Sequence, residues 1–305
     1  MLKKCKLFGI VTFIFFLASC NNSKNEDKET ILKGNISLVT DESILPIVED
    51  ELIIFQDRYD AKIEIISKSE AELVKDLVSQ KYKVAFMTRS LSEEEKAVFE
   101  QKKIIPRITP FAKDAVTLIA NNAVNDTLVD LKEVVAVLQG NVSAKVKGLV
   151  FDNPNSSTAR QLMELANVDG FPKERVYSFD SNEEVFKFVA ENEGMIGVVG
   201  YNWITQPNPK VEGYLSEIVV LSVKGIGQKD YFMPSQYNLA NNLYPLARDL
   251  YIVNCQGTAG LGMGIASFVA GEIGQRIVLK SELLPHHTPG RKVLVRGEIV
   301  KEKKK

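Results

Sequence analysis

From residue 35 onward, short runs rich in β-branched residues alternate with stretches of helical period. Residues 36–39 read as a strand, and Ile44, Ile47, Val48, Leu52 and Phe55 follow at the spacing of a helix with one apolar face. Residues 61–66 predict a second strand. Ser69 with Glu72 has the form of a capping box, which satisfies free N–H groups at a helix start, and predicts a helix through Val78. Residues 84–87 predict a third strand, and Ser92 with Glu95 repeats the capping pattern. Residues 116–120 are strand-like. Thr127 with Asp130 predicts a helix start, with the stripe Leu128, Leu131, Val134, Val135 and Leu138 and a stop at Gly140.

The second half keeps the rhythm. Residues 148–151 predict a strand, 153–158 a polar loop and 159–166 a helix; strands follow at 195–199 and 218–223, and one long helix at 262–279. Strands separated by helices predict an α/β fold with parallel-rich sheets covered on both faces. Ligands of such sheets sit beyond the carboxyl ends of the strands. The loops after Val39, Met87 and Phe151 are therefore the ones to inspect.

The N-terminus departs from this pattern. Lys3, Lys4 and Lys6 precede an apolar run over residues 7–17. As a helix that run rises about 16 Å, against a bilayer core of about 30 Å, so it reads as a secretory signal rather than a span. Leu17-Ala18-Ser19-Cys20 follows and resembles the lipobox of bacterial lipoproteins, which implies cleavage before Cys20 and its acylation. Residues 21–30 are polar and aperiodic, as a tether would be. Of three cysteines only Cys255 then remains unassigned, and it reads as a packed apolar residue.

Composition narrows the function. With 38 basic and 39 acidic side chains the chain carries a net charge of −1, and 45% of it is apolar. That is an ordinary folded protein without the basic surplus that nucleic-acid binding requires. No G-x-S-x-G, H-E-x-x-H or P-loop motif is present. The only histidines, His286 and His287, are adjacent and would point to opposite faces of a strand, so no metal site is expected there.

The three loops carry hydroxyls at helix starts: Thr40 and Ser43; Thr88, Arg89 and Ser90; and Ser156, Ser157 and Thr158, with Arg160 just beyond. Backbone N–H groups and the helix dipole favour an anion there, and two guanidinium groups suit a tetrahedral oxyanion. The segments VAFMTRSLSEEE, PFAKDAVTLIAN, MIGVVGY, YPLARDLYIV and GEIGQRIVLKSELLP, in this order, resemble the substrate-binding protein of bacterial phosphate ABC transporters. Tyr244-Pro245-Leu246-Ala247-Arg248 and Ala112-Lys113-Asp114-Ala115 are the most specific pieces. The similarity spans about residues 36–285.

The resemblance implies a type II periplasmic binding protein fold of two lobes with parallel-rich sheets, joined by two crossovers. Residues 1–19 are then the lipoprotein signal peptide, 20–34 the tether, 35–115 and 226–300 lobe 1, 116–225 lobe 2, and 301–305 a basic tail. It implies ligand contacts from Thr40, Ser43, Thr88, Arg89, Ser90, Asp114, Ser156, Ser157, Thr158 and Arg160, whereas Arg248 is expected to pack between elements. Asp41 and Glu42 replace the family's small residues, and the glycine of its second-lobe loop is missing. The expected protein is a monomeric, lipid-anchored, non-enzymatic binder on the periplasmic side of the cell envelope, with no cofactor, presenting phosphate or a related oxyanion to an ABC transporter permease. The alternative is a cell-envelope sensor or adaptor that kept the fold.

Overall fold

The computed structural model describes residues 29–290. The expected signal peptide, Cys20, residues 21–28 of the tether and the basic tail lie outside the described residues. Glu29 is already docked, its carboxylate accepting the Leu261 N–H at 2.7 Å and a Gln256 Nε2 bond at 3.1 Å.

The predicted rhythm of the first third is observed: β1 (Gly34–Asp41), α1 (Leu45–Arg58), β2 (Ala61–Lys68), α2 (Glu70–Val78), β3 (Val84–Met87) and α3 (Glu93–Gln101). Ser92 and Glu95 form the full capping box that opens α3. At α2, Ser69 Oγ instead donates to Glu72 Oε2 at 3.0 Å. Next come β4 (Arg107–Asn121), β5 (Leu128–Asp130), α4 (Leu131–Leu138), β6 (Gly148–Phe151), α5 (Ser157–Ala166), β7 (Val176–Ser178), α6 (Asn182–Glu191) and β8 (Met195–Gly200). The chain continues through α7 (Asn202–Thr205), α8 (Pro209–Glu212), β9 (Ile218–Val220), β10 (Ser222–Lys224) and α9 (Gln236–Ala240). It closes with β11 (Ala247–Asn254), α10 (Leu261–Val269), α11 (Glu272–Lys280) and β12 (Leu284–Pro285).

Three local expectations are corrected. Helix α4 starts at Leu131, after Asp130, whose carboxylate accepts the Lys132 N–H as the cap, because residues 128–130 are drawn into a strand paired with β10. The single strand expected over 218–223 is divided, β9 joining β4 and β10 joining β5. The long C-terminal helix is two, since Gly271 is extended and Gly274 packs where a Cβ would lie 2.5 Å from the Val269 backbone.

A ten-stranded sheet runs β2-β1-β3-β11-β4-β8-β6-β7, with β9 and β12 added on β4. β1 pairs in parallel with β2 and β3, and β6 pairs in parallel with β7 and β8. Between these two parallel halves, β11 and β4 run antiparallel to their neighbours. β4 belongs to both halves: residues up to Ala115 pair with β11, and Val116–Ala120 pair with β8. The result is the α/β fold expected from the sequence, with a mixed sheet that is parallel within each half and antiparallel where the halves join. β3 is buried along its whole length, as a strand covered on both faces must be. The buried stripe of α1 packs beneath the first half, with Phe55 edge-on to Phe268 at 5.4 Å. Separate clusters centred on Leu73, Leu77 and Phe99, and on Val185, Phe186 and Trp203, cover the opposite faces. This arrangement aims the ends of β1, β3 and β6 into one seam between the halves.

Candidate functional site

At the end of β1, Asp41 is buried, and its Oδ1 accepts the Ser43 N–H at 2.9 Å and the Ser43 hydroxyl at 2.6 Å. A short carboxylate reaching two residues ahead is a common way to turn the chain into a helix. It fixes Ser43 against the other half, where Ser43 Oγ lies 2.9 Å from Ser157 Oγ at the start of α5. Arg248 completes this node. Its Nη1 donates to Ser157 Oγ at 3.0 Å, and its Nε and Nη2 donate to Asp114 Oδ2 at 3.1 and 2.8 Å. Asp114 and Arg248 face each other across the β4–β11 ladder, so the sheet register makes this ion pair. Asn202 Nδ2 donates to the Ser43 carbonyl at 2.8 Å. Gly200 allows the approach, because a Cβ there would lie 2.2 Å from that carbonyl.

The node is rich in buried acceptors. Asp41 Oδ2, Asp114 Oδ1 and Asn202 Oδ1 have no hydrogen-bond partner among the described residues. Burial pushes the Asp41 carboxyl up to about 6 despite the nearby Arg248 charge. Burial raises Asp114 as well, against the pull of Arg248.

Beside the node, Glu42 accepts the Asn182 N–H at 3.1 Å and a second bond from Asn182 Nδ2, while its carbonyl accepts Trp203 Nε1 at 3.1 Å. Burial and the Asp152 charge hold the Glu42 carboxyl well above the usual range. Asp152 is raised by its own burial, and it accepts a bond from Thr158 Oγ1 at 3.0 Å. The Asp152 charge thus disfavours ionisation of Glu42 beyond what burial alone does.

Across the seam, Glu70 at the start of α2 gathers the two predicted arginines. Its Oε1 accepts Arg89 Nε at 2.8 Å and Arg160 Nε at 2.7 Å, and its Oε2 accepts Arg160 Nη2 and Thr88 Oγ1, both at 3.2 Å. Arg89 also grips Glu95 through both terminal nitrogens, and Arg160 also grips Glu164.

The predicted residues therefore fall into groups. Ser43, Ser157 and Asp114 meet around Arg248, and Thr88, Arg89 and Arg160 meet around Glu70. Ser156 caps α5 through the Ala159 N–H and lies 2.9 Å from Thr158 Oγ1. Thr40 is fully buried and donates to the Asp41 carbonyl at 3.3 Å. Ser90 offers its carbonyl to Arg89 Nη1. Arg248 does pack between elements, as expected, yet it also reaches the seam. Glu70, Asp152, Asn182 and Asn202 carry no signal in the sequence that marks them for the site. Glu70 reads there as an ordinary first-turn acid beside a helix cap.

A family model described as a PBP superfamily domain matches residues 25–272. The chain belongs to this superfamily. Solved structures share the fold at low identity. A protein described as a phosphate ABC transporter substrate-binding protein with bound phosphate, from Clostridium perfringens, is 18% identical with a TM-score of 0.67, over 83% of this chain and 100% of that one. An ABC-type phosphate transport receptor from Vibrio cholerae is 14% identical with a TM-score of 0.59, over 83% and 100%. OxyR from Corynebacterium glutamicum is 14% identical with a TM-score of 0.51, over 91% and 74%. Comparison with curated protein sequences gives no match.

Proposed function

We propose that the chain is a non-enzymatic binding protein for inorganic phosphate or a related oxyanion, anchored through Cys20 on the periplasmic side of the cell envelope and serving an ABC transporter permease. The observation that carries the reading is the node of Ser43, Ser157 and Arg248. It joins hydroxyls from both halves of the sheet to a buried guanidinium where the strand ends meet. Hydrogen bonds to a charged ligand contribute about 1.5–3 kcal/mol each, so four or five support micromolar affinity, about −8 kcal/mol. The phosphate-related descriptions of the Clostridium and Vibrio structures add weight to the ligand class. The anchor rests on Leu17-Ala18-Ser19-Cys20 behind an apolar run too short to span a bilayer. A carboxylate in the node gives selectivity, since protonated phosphate can donate to Asp114 while sulfate brings only like charge.

The test is calorimetric titration of residues 21–305, which hold every described element, with phosphate and with sulfate. Micromolar phosphate binding with silence towards sulfate is expected. Sulfate binding as tight as phosphate would overturn the selectivity, and no response to either would favour the second reading. That reading, a cell-envelope sensor or adaptor, is motivated by Asp41, Glu42, Asp152 and Glu70, acids that crowd the seam.

A further inference from the structure

Glu70 sits where an incoming anion would meet both arginines. Its side chain is 5% exposed, and Arg89 and Arg160 are 27% and 29% exposed. Arg89 follows β3 in the first half of the sheet, and Arg160 lies on α5 in the second, ninety residues from Glu70. One carboxylate thus takes both guanidiniums and the Thr88 hydroxyl, which is the bonding pattern of a bound oxyanion. With Glu95 and Glu164 on the outer nitrogens of these arginines, the cluster has no positive surplus.

The rest of the seam is also closed by the protein's own groups. Ser43 meets Ser157, Glu42 meets Asn182, Trp203 donates to the Glu42 carbonyl, and the Ala71 N–H reaches the Asn155 carbonyl at 3.3 Å. We propose that Glu70 is a built-in anion that clasps the two halves shut with no ligand bound, so that closure does not report occupancy. A dianion can reach Arg89 and Arg160 only by displacing this carboxylate. The clasp does not depend on phosphate being the ligand, and its test reads closure rather than affinity.

Spin labels on cysteines placed at Lys62 and Lys187, both exposed and one on each half, report the separation by double electron–electron resonance. In residues 21–305 the one native thiol, Cys255, is buried. The wild-type chain in phosphate-free buffer is expected to give one short distance that added phosphate leaves unchanged. Glu70→Gln is expected to add a longer-distance population, because a neutral amide cannot hold two guanidiniums. Arg160→Gln cuts the bridge, along with the Arg160–Glu164 pair within α5, leaves Glu70 with Arg89 and Thr88 in its own half, and is expected to lengthen the distance in the same way. It also serves where Glu70→Gln fails to fold by circular dichroism. A wild-type distance that is long without phosphate and shortens with it would overturn the clasp. So would folded variants that stay as closed as the wild type.

Discussion

Asp41 shows how one side chain can serve the site at the expense of the fold. Its carboxyl is pushed up to about 6, chiefly by burial. Below the ordinary carboxylate range the folded and unfolded chains both hold the proton, and Asp41 contributes no penalty. As pH rises towards 6 the unfolded chain releases its proton while the folded chain retains it, so stability falls through that window and stays lower above it. A rise of this size corresponds to about 3 kcal/mol. Asp41→Asn is expected to stabilise the protein by about 2–3 kcal/mol at pH 7, with the gain vanishing near pH 4. Urea midpoints at the two pH values check this, and an equal gain at both would contradict it. Arg248 poses the complementary case. Deleting it would strand Asp114 as a buried unpaired charge, so the informative change is Arg248→Lys, which keeps the charge but loses the fork that spans Asp114 and Ser157. It should weaken phosphate binding at least tenfold, about 1.4 kcal/mol, and more than Arg89→Lys does. Unchanged affinity of Arg248→Lys in a titration would remove Arg248 from the site.

At the scale of elements, helix starts are legible where the cap is local. Ser92 and Glu95 lie three residues apart, and their reciprocal bonds form wherever the chain turns helical. The start of α4 differs from the sequence pattern because Thr127 and Asp130 are both good caps, and the choice between them depends on β10, a strand far along the chain. Asp130 also pairs with Lys224 at 2.7 Å. Asp130→Ala should therefore cost about 1–2 kcal/mol, while Thr127→Ala should stay within about 0.5 kcal/mol. Chemical denaturation of the two variants measures the difference, and a larger cost at Thr127 would restore the sequence-based boundary. β11 is not evident as a strand from local pattern, since its pairing with β3 and β4 exists only once those strands are adjacent.

For the whole molecule, the proposed anchor and the fold answer to different parts of the chain. Among the described residues no helix is long and apolar enough to cross a membrane; the attachment proposed here is through Cys20. Cys20→Ala is expected to move the protein out of the membrane fraction or to stall its processing. Fractionation with an antibody to the mature domain reads either result, and unchanged attachment with normal processing would exclude lipidation there. The alternation of strands and helices, the apolar faces, the capping box and the hydroxyl-bearing loops at strand ends were all set by the sequence, because each depends on residues within a few positions of one another. The partners of those loops were set by tertiary structure. Arg248 lies 134 residues from Asp114, and Arg160 lies ninety residues from Glu70. Nothing local distinguishes an acid that caps a helix from one that holds two arginines across a seam. Only the register of β4 against β11 and the meeting of the two halves bring those charges within bonding distance.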